Sequence, residues 1–278
     1  MAAKVPAFTD LGATAKEVLY GARGTGVFQF NKVVGVSSTT ADGVTFAVTA
    51  LQRDNALDMA LKTTYTAPKY SLIGTISQAG KLGLAATYKE LAPGLTLGLS
   101  GTLPDLDSAN LAVDYSIPHV TLRSAVSLTA APKVNLAATT GYDNFTLGAE
   151  AAYDAAKGAL TKWNAGVGYS AADFQAAVFL NDLNVVTGQY AHSVTATATV
   201  GAEVAHNLTS KVTTFSAGVA KRLEAGTLVK GKLEDNGHVS VLYEQEVRPK
   251  TKMGLSAQFD ALNLDKAPKF GFAYDLKY

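Results

Sequence analysis

The chain has 278 residues, with 24 Lys and Arg against 23 Asp and Glu, a formal net charge of +1, 25 glycines and no cysteine. That balance excludes a basic protein built to wrap nucleic acid and an acidic solvating tail; the missing thiols exclude a disulfide scaffold, a thiolate zinc site and a cysteine nucleophile. Charged residues make up 17% of the chain, fewer than a typical soluble domain carries, and the mean hydropathy is +0.11.

Pro6 and Asp10 stand where the apolar core of a secretory signal would lie, so none is expected. The first predicted element is a helix. Phe8, Leu11, Ala15, Val18 and Leu19 share one helical face, Thr9 or Asp10 is placed to cap it, and Gly21 to end it. Such a short helix is unstable alone and must dock on something. No later segment reads as a transmembrane helix. The longest stretch without Asp, Glu, Lys or Arg, Leu183 to Ala202, holds Gly188, Gln189, His192 and a series of threonines.

From residue 27 onward the period is two. Phe28 and Phe30 alternate with Val27, Gln29 and Asn31; Val44, Phe46 and Val48 with Thr45, Ala47 and Thr49; Leu57, Met59 and Leu61 with Asp58, Ala60 and Lys62. The same pattern is predicted around Leu82–Tyr88, Leu111–Tyr115, Val134–Ala138, Phe145–Ala149, Val194–Val200, Met253–Phe259 and Phe270–Leu276. It is poor over Val185–His192 and Leu223–Leu233. Turn signals such as Asp42-Gly43, Pro93-Gly94, Asp143-Asn144 and Asp235-Asn236-Gly237 recur between the runs. The spacing predicts strands of roughly 9–11 residues and a total on the order of 18–20. Two segments are expected: a helix with a glycine-rich connection at 1–26, and one sheet at 27–278.

A single sheet of this many strands has an apolar face with no second layer to cover it. Hydrocarbon is the expected cover, and closure into a barrel removes the edges that hydrocarbon cannot tolerate. Tyrosines and Trp163 near predicted strand ends fit interfacial girdles. The alternate face then lines a water-filled pore. That places Lys62, Lys81, Lys89, Arg123, Lys133, Lys162, Lys252 and Lys277 in the pore, against Asp58, Asp114, Glu150, Glu203, Glu244 and Asp275. Eight cations against six acids, before the helix adds Lys4 and Lys16, predict a weak preference for anions. The helix would lie against the wall by Phe8, Leu11 and Leu19, with Lys16 and Glu17 facing the pore. Gly21, Gly24 and Gly26 serve either as a hinge or as the crossing into the first strand. Charge moved through the membrane field contributes about 2.3 kcal/mol per elementary charge per 100 mV, enough to bias a gate.

The ends of the chain carry a resemblance. Val5-Pro-Ala-Phe-Thr-Asp-Leu-Gly12, Ala15-Lys-Glu-Val18 and Gly21-Ala-Arg-Gly-Thr-Gly26 resemble the N-terminus of mitochondrial porins, the voltage-dependent anion channels. Lys269-Phe-Gly-Phe-Ala-Tyr-Asp-Leu276 resembles that family's membrane-insertion signal, which implies roles for Lys269, Gly271, Tyr274 and Leu276. The family's barrel has 19 strands, so the resemblance implies an all-β transmembrane barrel of about 19 strands with the helix in the pore. It also implies a voltage-gated passive pore for small anionic metabolites such as ATP and ADP in the mitochondrial outer membrane, with the lipid bilayer as partner, a homo-oligomer allowed and no nucleic acid. Gly94-Leu95-Thr96 departs from the family's Gly-Leu-Lys, and Lys69 to Ser77 lacks the membrane-facing glutamate of some members; neither function is carried over. The rival readings are the pore of the outer-membrane protein translocase and a soluble all-β binding module.

No catalytic chemistry is expected. His119, His192, His206 and His238 are scattered without metal-ligand spacing, and G-x-S-x-G is missing. Gly21 to Gly26 follows a helix instead of preceding one, so it does not make a phosphate loop. Enzyme activity, metal and cofactor are all expected to be absent.

Overall fold

The computed structural model describes residues 5–21, 26–53, 56–223 and 226–278. Phe8–Asp10 forms a single 3-10 turn, and Ala13–Tyr20 forms helix α1. Nineteen strands follow. They are β1 (Lys32–Thr39), β2 (Val44–Arg53), β3 (Ala56–Thr66), β4 (Tyr70–Ser77), β5 (Leu82–Ala92), β6 (Leu95–Leu103) and β7 (Asn110–Ile117). Next come β8 (Val120–Ser127), β9 (Lys133–Tyr142), β10 (Phe145–Asp154), β11 (Ala159–Ser170), β12 (Phe174–Asn181) and β13 (Val185–Thr195). The last are β14 (Ala198–Asn207), β15 (Thr213–Arg222), β16 (Thr227–Glu234), β17 (His238–Arg248), β18 (Thr251–Asp260) and β19 (Lys269–Lys277).

Each strand is hydrogen-bonded to its neighbours in sequence, and β1 pairs also with β19. The order therefore closes on itself, which is the topology of a β-barrel. With an odd number of up-and-down strands, β1 and β19 run the same way and the closing pair is parallel. Closure leaves no strand edge unpaired, as a hydrocarbon environment requires.

The chain forms two compact units, Met1–Leu11 with Ser37–Thr49 and Asp58–Val167, and Gly12–Val36 with Ala50–Leu57 and Gly168–Tyr278. Directly opposed residues of paired strands share a face, so registers carry a face assignment from strand to strand. In the first unit one continuous row is Lys89–Thr96–Asp114–Arg123–Ala137–Glu150. In the second the row is Ala177–Gln189–Glu203–Ser216–Glu234. The opposite face is apolar: Leu72, Leu84, Leu99, Leu136, Val178 and Val219 all stand exposed on it.

The structure differs from the sequence reading in three places. Val27–Asn31 is extended but not a strand; it runs beside β18 and β19, with the Gln29 N–H donating to Ser256 Oγ (3.2 Å) and Asn31 C=O accepting from Phe272 N–H (3.0 Å). The run Val194–Val200 is not one strand but a hairpin, turned at Ala196-Thr197. The Thr195 hydroxyl accepts from Ala198 N–H at 3.0 Å and makes the turn without Gly or Pro. Finally, neither Thr9 nor Asp10 caps α1; Gly12 does so in the left-handed conformation, with no side-chain cap.

Candidate functional site

The polar face of the sheet is the face that bears the N-terminal segment. Phe8, Leu11, Ala15, Val18 and Leu19 are all buried, although only Ala15, Val18 and Leu19 belong to α1 and not all five to one helix, and Leu19 retains no exposure. Each large apolar side chain so covered contributes about 1.5–3 kcal/mol to docking. The wall receives them at positions that lack side chains.

In the first unit the segment from Val5 to Asp10 docks on β8–β10. Thr121 Oγ1 donates to the Val5 carbonyl (2.8 Å), and Arg123 Nη1 donates to Thr9 Oγ1 (3.1 Å). Val5 covers Gly141 and Phe8 covers Gly148; a Cβ on Gly148 would stand 2.8 Å from the Phe8 ring. In the second unit α1 docks mainly on β13–β15. Val18 packs on Gly201 and Leu19 on Gly218, each 3.1 Å from where a Cβ would be. At the start of α1, Gln189 fills the space that a Gly12 side chain would need, and the Thr14 N–H donates to Gln175 Oε1 (3.0 Å). Gly12 thus explains the break between the 3-10 turn and the helix. Only a residue without Cβ fits over Gln189 at φ 67°.

Polar contacts fasten the other end of α1. Gly21 closes the helix at φ 73°, its N–H donating to the carbonyls of Lys16 and Glu17. Lys230, only 2% exposed, donates from Nζ to the Glu17 carbonyl and lies 3.8 Å from the Glu17 carboxylate. Gly26 packs on the same lysine and donates its N–H to Glu244 Oε2 (3.0 Å), while Lys252 donates to Glu244 Oε1 (3.4 Å). Tyr20 donates to Glu203 Oε1 (2.8 Å), and Gln189 Nε2 donates to Glu203 Oε2 (2.6 Å). Lys232, 2.6 Å from Glu234, sits over the rings of Tyr20 and Phe28 at 4.8 and 5.8 Å. Partial burial of the Tyr20 phenol, reinforced by the hydrogen bond to Glu203, pushes it up to about 12.

The registers place the expected pore-lining residues on this same face. Lys62 stands opposite Thr75, which stands opposite Gly83. Lys81 and Lys89 share the parity of Gly83 on the β5 segment. Arg123 is in the row of the first unit, with its Nε 3.7 Å from Asp114, and Lys133 opposes Asp154 at the end of the same face. Lys162 is two residues from Asn164, whose Nδ2 donates to Glu150 at 3.3 Å. Lys252 opposes Asp275 on the helix-bearing face of the second unit. Lys16 lies over the Phe179 ring at 5.0 Å, and Glu17 is half-buried against Lys230; both keep intermediate exposure. Gly24 lies outside the described residues.

At the C-terminus, Tyr274 and Leu276 of β19 lie on the apolar face opposite Met253 and Thr251, and Tyr274 stacks on Phe272 (6.4 Å, 7°). Gly271 faces the other way. The Gln29 carbonyl passes so close that no Cβ would fit there. Lys269 opens the strand.

The sequence reading missed Lys230, Lys232, Gln189 and Glu234. They fall where alternation is weakest, because Gly188 and Gly231 replace apolar residues on the outer face of β13 and β16. The signal that finds Lys230 and Lys232 is the parity of Val229 and Leu233 around them.

The model of the eukaryotic porin family matches residues 4–271. Mitochondrial outer membrane protein porin 6 of Oryza sativa subsp. japonica is 31% identical over 273 residues, 97% of each chain. Mitochondrial outer membrane protein porin 4 of Arabidopsis thaliana is 30% identical over 271 residues, again 97% of each. The mitochondrial outer membrane porin of 34 kDa from Solanum tuberosum is 31% identical over 277 residues, 97% of each. With a family match over nearly its whole length and relatives of equal length, the chain belongs to the eukaryotic porin family.

Proposed function

We propose that the protein is a passive, voltage-gated, weakly anion-selective pore for metabolites and small ions, adenine nucleotides among them, across the mitochondrial outer membrane. The observation that carries this reading is the segregation of faces. Strand registers collect Lys62, Lys89, Arg123 and Glu150 on one side of the sheet and leave leucines, valines and phenylalanines exposed on the other. A closed pairing order with an apolar exterior suits lipid, and a polar interior suits water. The names of the relatives, mitochondrial outer membrane porins, support the location. No reaction is assigned to it.

Selectivity follows from charge. Lys62, Lys81, Lys89, Lys133 and Lys162 give the polar face its cationic excess, and mixed acids keep the preference small. Gating is assigned to the N-terminal segment, which is held by glycine sockets and by Lys230. The segment Lys269 to Leu276 is assigned the role of insertion signal. Substrates, homo-oligomer formation and voltage dependence belong to this same proposal.

Reconstitution into a planar bilayer tests it. The expected record is stepwise conductance that falls at high voltage of either sign, with a reversal potential in a KCl gradient displaced toward chloride. Protein that inserts into the bilayer yet carries no current overturns the reading.

A further inference from the structure

In the second unit three neighbouring segments at one end of the sheet share a composition. They are the β15–β16 connection, the β17–β18 turn and the end of β19. They adjoin directly: the Glu246 N–H donates to the Gly226 carbonyl (2.9 Å), and the Lys277 N–H donates to the Lys250 carbonyl (2.9 Å). Each presents an exposed cation beside an exposed apolar side chain. Lys221 stands next to Leu223 (53% exposed), Arg248 and Lys250 next to Val247 (52%), and the strand that ends in Lys277 finishes on Tyr278 (71%).

The side of the sheet is fixed for Lys221. Gly218, three residues earlier, faces α1, so Lys221 has the opposite parity and points out, opposite Ala198 and two residues along from Val219. The acids among the described residues of these segments are Glu246, which accepts from the Lys250 N–H at 3.0 Å, and Asp275, 3.9 Å from Lys277 and with it on the parity of the helix-bearing face. Turns at the opposite end of the same unit carry Asp182, Asp235 and Asp265 together with Lys211 and Lys266, and the β11–β12 turn at the near end carries Asp173. Interleaved cations and apolar side chains at the end of lipid-facing strands match a surface where apolar groups enter the acyl boundary and ammonium or guanidinium groups meet phosphates.

We infer that this rim, formed by Lys221, Leu223, Val247, Arg248, Lys250 and Tyr278, docks the headgroups of anionic phospholipids. The inference rests on the membrane-pore reading, since it places the rim at a bilayer surface. An acidic protein is the alternative occupant. The exposed Leu223, Val247 and Tyr278, continuous with the apolar face of the strands, favour lipid.

The test reconstitutes the full chain into phosphatidylcholine vesicles and measures the association of spin-labelled phosphatidylglycerol against spin-labelled phosphatidylcholine. Each cation near an anionic headgroup is worth on the order of a few-fold, so an overall preference of about fivefold for phosphatidylglycerol is expected at low salt. It should fall to near unity in about 1 M NaCl, where charges are screened beyond about 3 Å. The K221Q/R248Q/K250Q variant should lose the preference, and K221R/K250R should keep it. A wild-type protein without preference, or a triple variant that retains it, overturns the inference; in the first case an acidic protein becomes the occupant to seek. Conductance of the same preparations separates the two readings. Channels without lipid preference refute the rim alone, and inserted protein without channels refutes the pore.

Discussion

The inner faces of β3–β7 and of β12–β17 are built for different neighbours. On β3–β7 they carry Lys62, Thr75, Thr87, Lys89, Thr96, Ser100, Asn110 and Asp114, polar throughout except for small residues and Ile73. On β12–β17 they include Ala177, Phe179, Ala191 and Leu242, all buried, and the sockets Gly201 and Gly218. The first set is matched to water, the second to a docked helix. A wall that must hold a helix gives up charge, keeps glycines where knobs enter, and confines its ionic groups to specific partners such as Lys230 with Glu17.

The largest test of this contrast is reversal of the contact between Glu17 and the buried Lys230. Glu17→Lys removes the partner of Lys230 and sets two cations together, which should cost about 3–5 kcal/mol of docking free energy. Hydrogen exchange of the α1 amides should then approach unprotected rates, while amides of β3–β7 stay protected. Filling a socket comes next. Gly218→Leu drives a side chain into Leu19 and the Gly231 carbonyl and should cost about 1–3 kcal/mol, read as weaker protection of the same helix amides.

Tyr20→Phe removes one hydrogen bond and should cost about 0.5–1.5 kcal/mol. It carries a pH signature. The phenol is held protonated, pushed up to about 12 from its ordinary value of 10.0, so its contribution is complete below pH 10 and lost as pH rises toward 12. Wild-type α1 should therefore undock in that window more than Y20F does, by fluorescence of a probe on the helix. The smallest effect belongs to the water-facing wall. Neutralising Lys62, Lys81, Lys133 and Lys162 together to Gln should leave docking unchanged and lower the chloride-to-potassium permeability ratio by about twofold or less.

The contrast also explains what the sequence made legible. Strands with a wet inner face show sharp alternation, as at Leu82–Tyr88 and Leu111–Tyr115. The buried residues of the N-terminal segment were legible as well, but the break at Gly12 that splits them between a 3-10 turn and α1 was not. Beneath the helix the two-residue period loses contrast, because Phe179 and Leu242 face inward while Gly188 and Gly231 face outward. Lys230, the lysine that fastens the helix, lay in that blurred stretch. The Ala196-Thr197 turn was hidden because a threonine hydroxyl makes it, and the run on either side keeps the same parity.

The central claim is that one face meets hydrocarbon and the other water. The chain has no native cysteine, so single cysteines can be placed along β9 at Lys133, Asn135, Val134 and Leu136 and exposed to a water-borne thiol reagent in lipid vesicles. The account predicts rapid labelling at 133 and 135 and protection at 134 and 136. Equal labelling of all four, or labelling confined to 134 and 136, would contradict it.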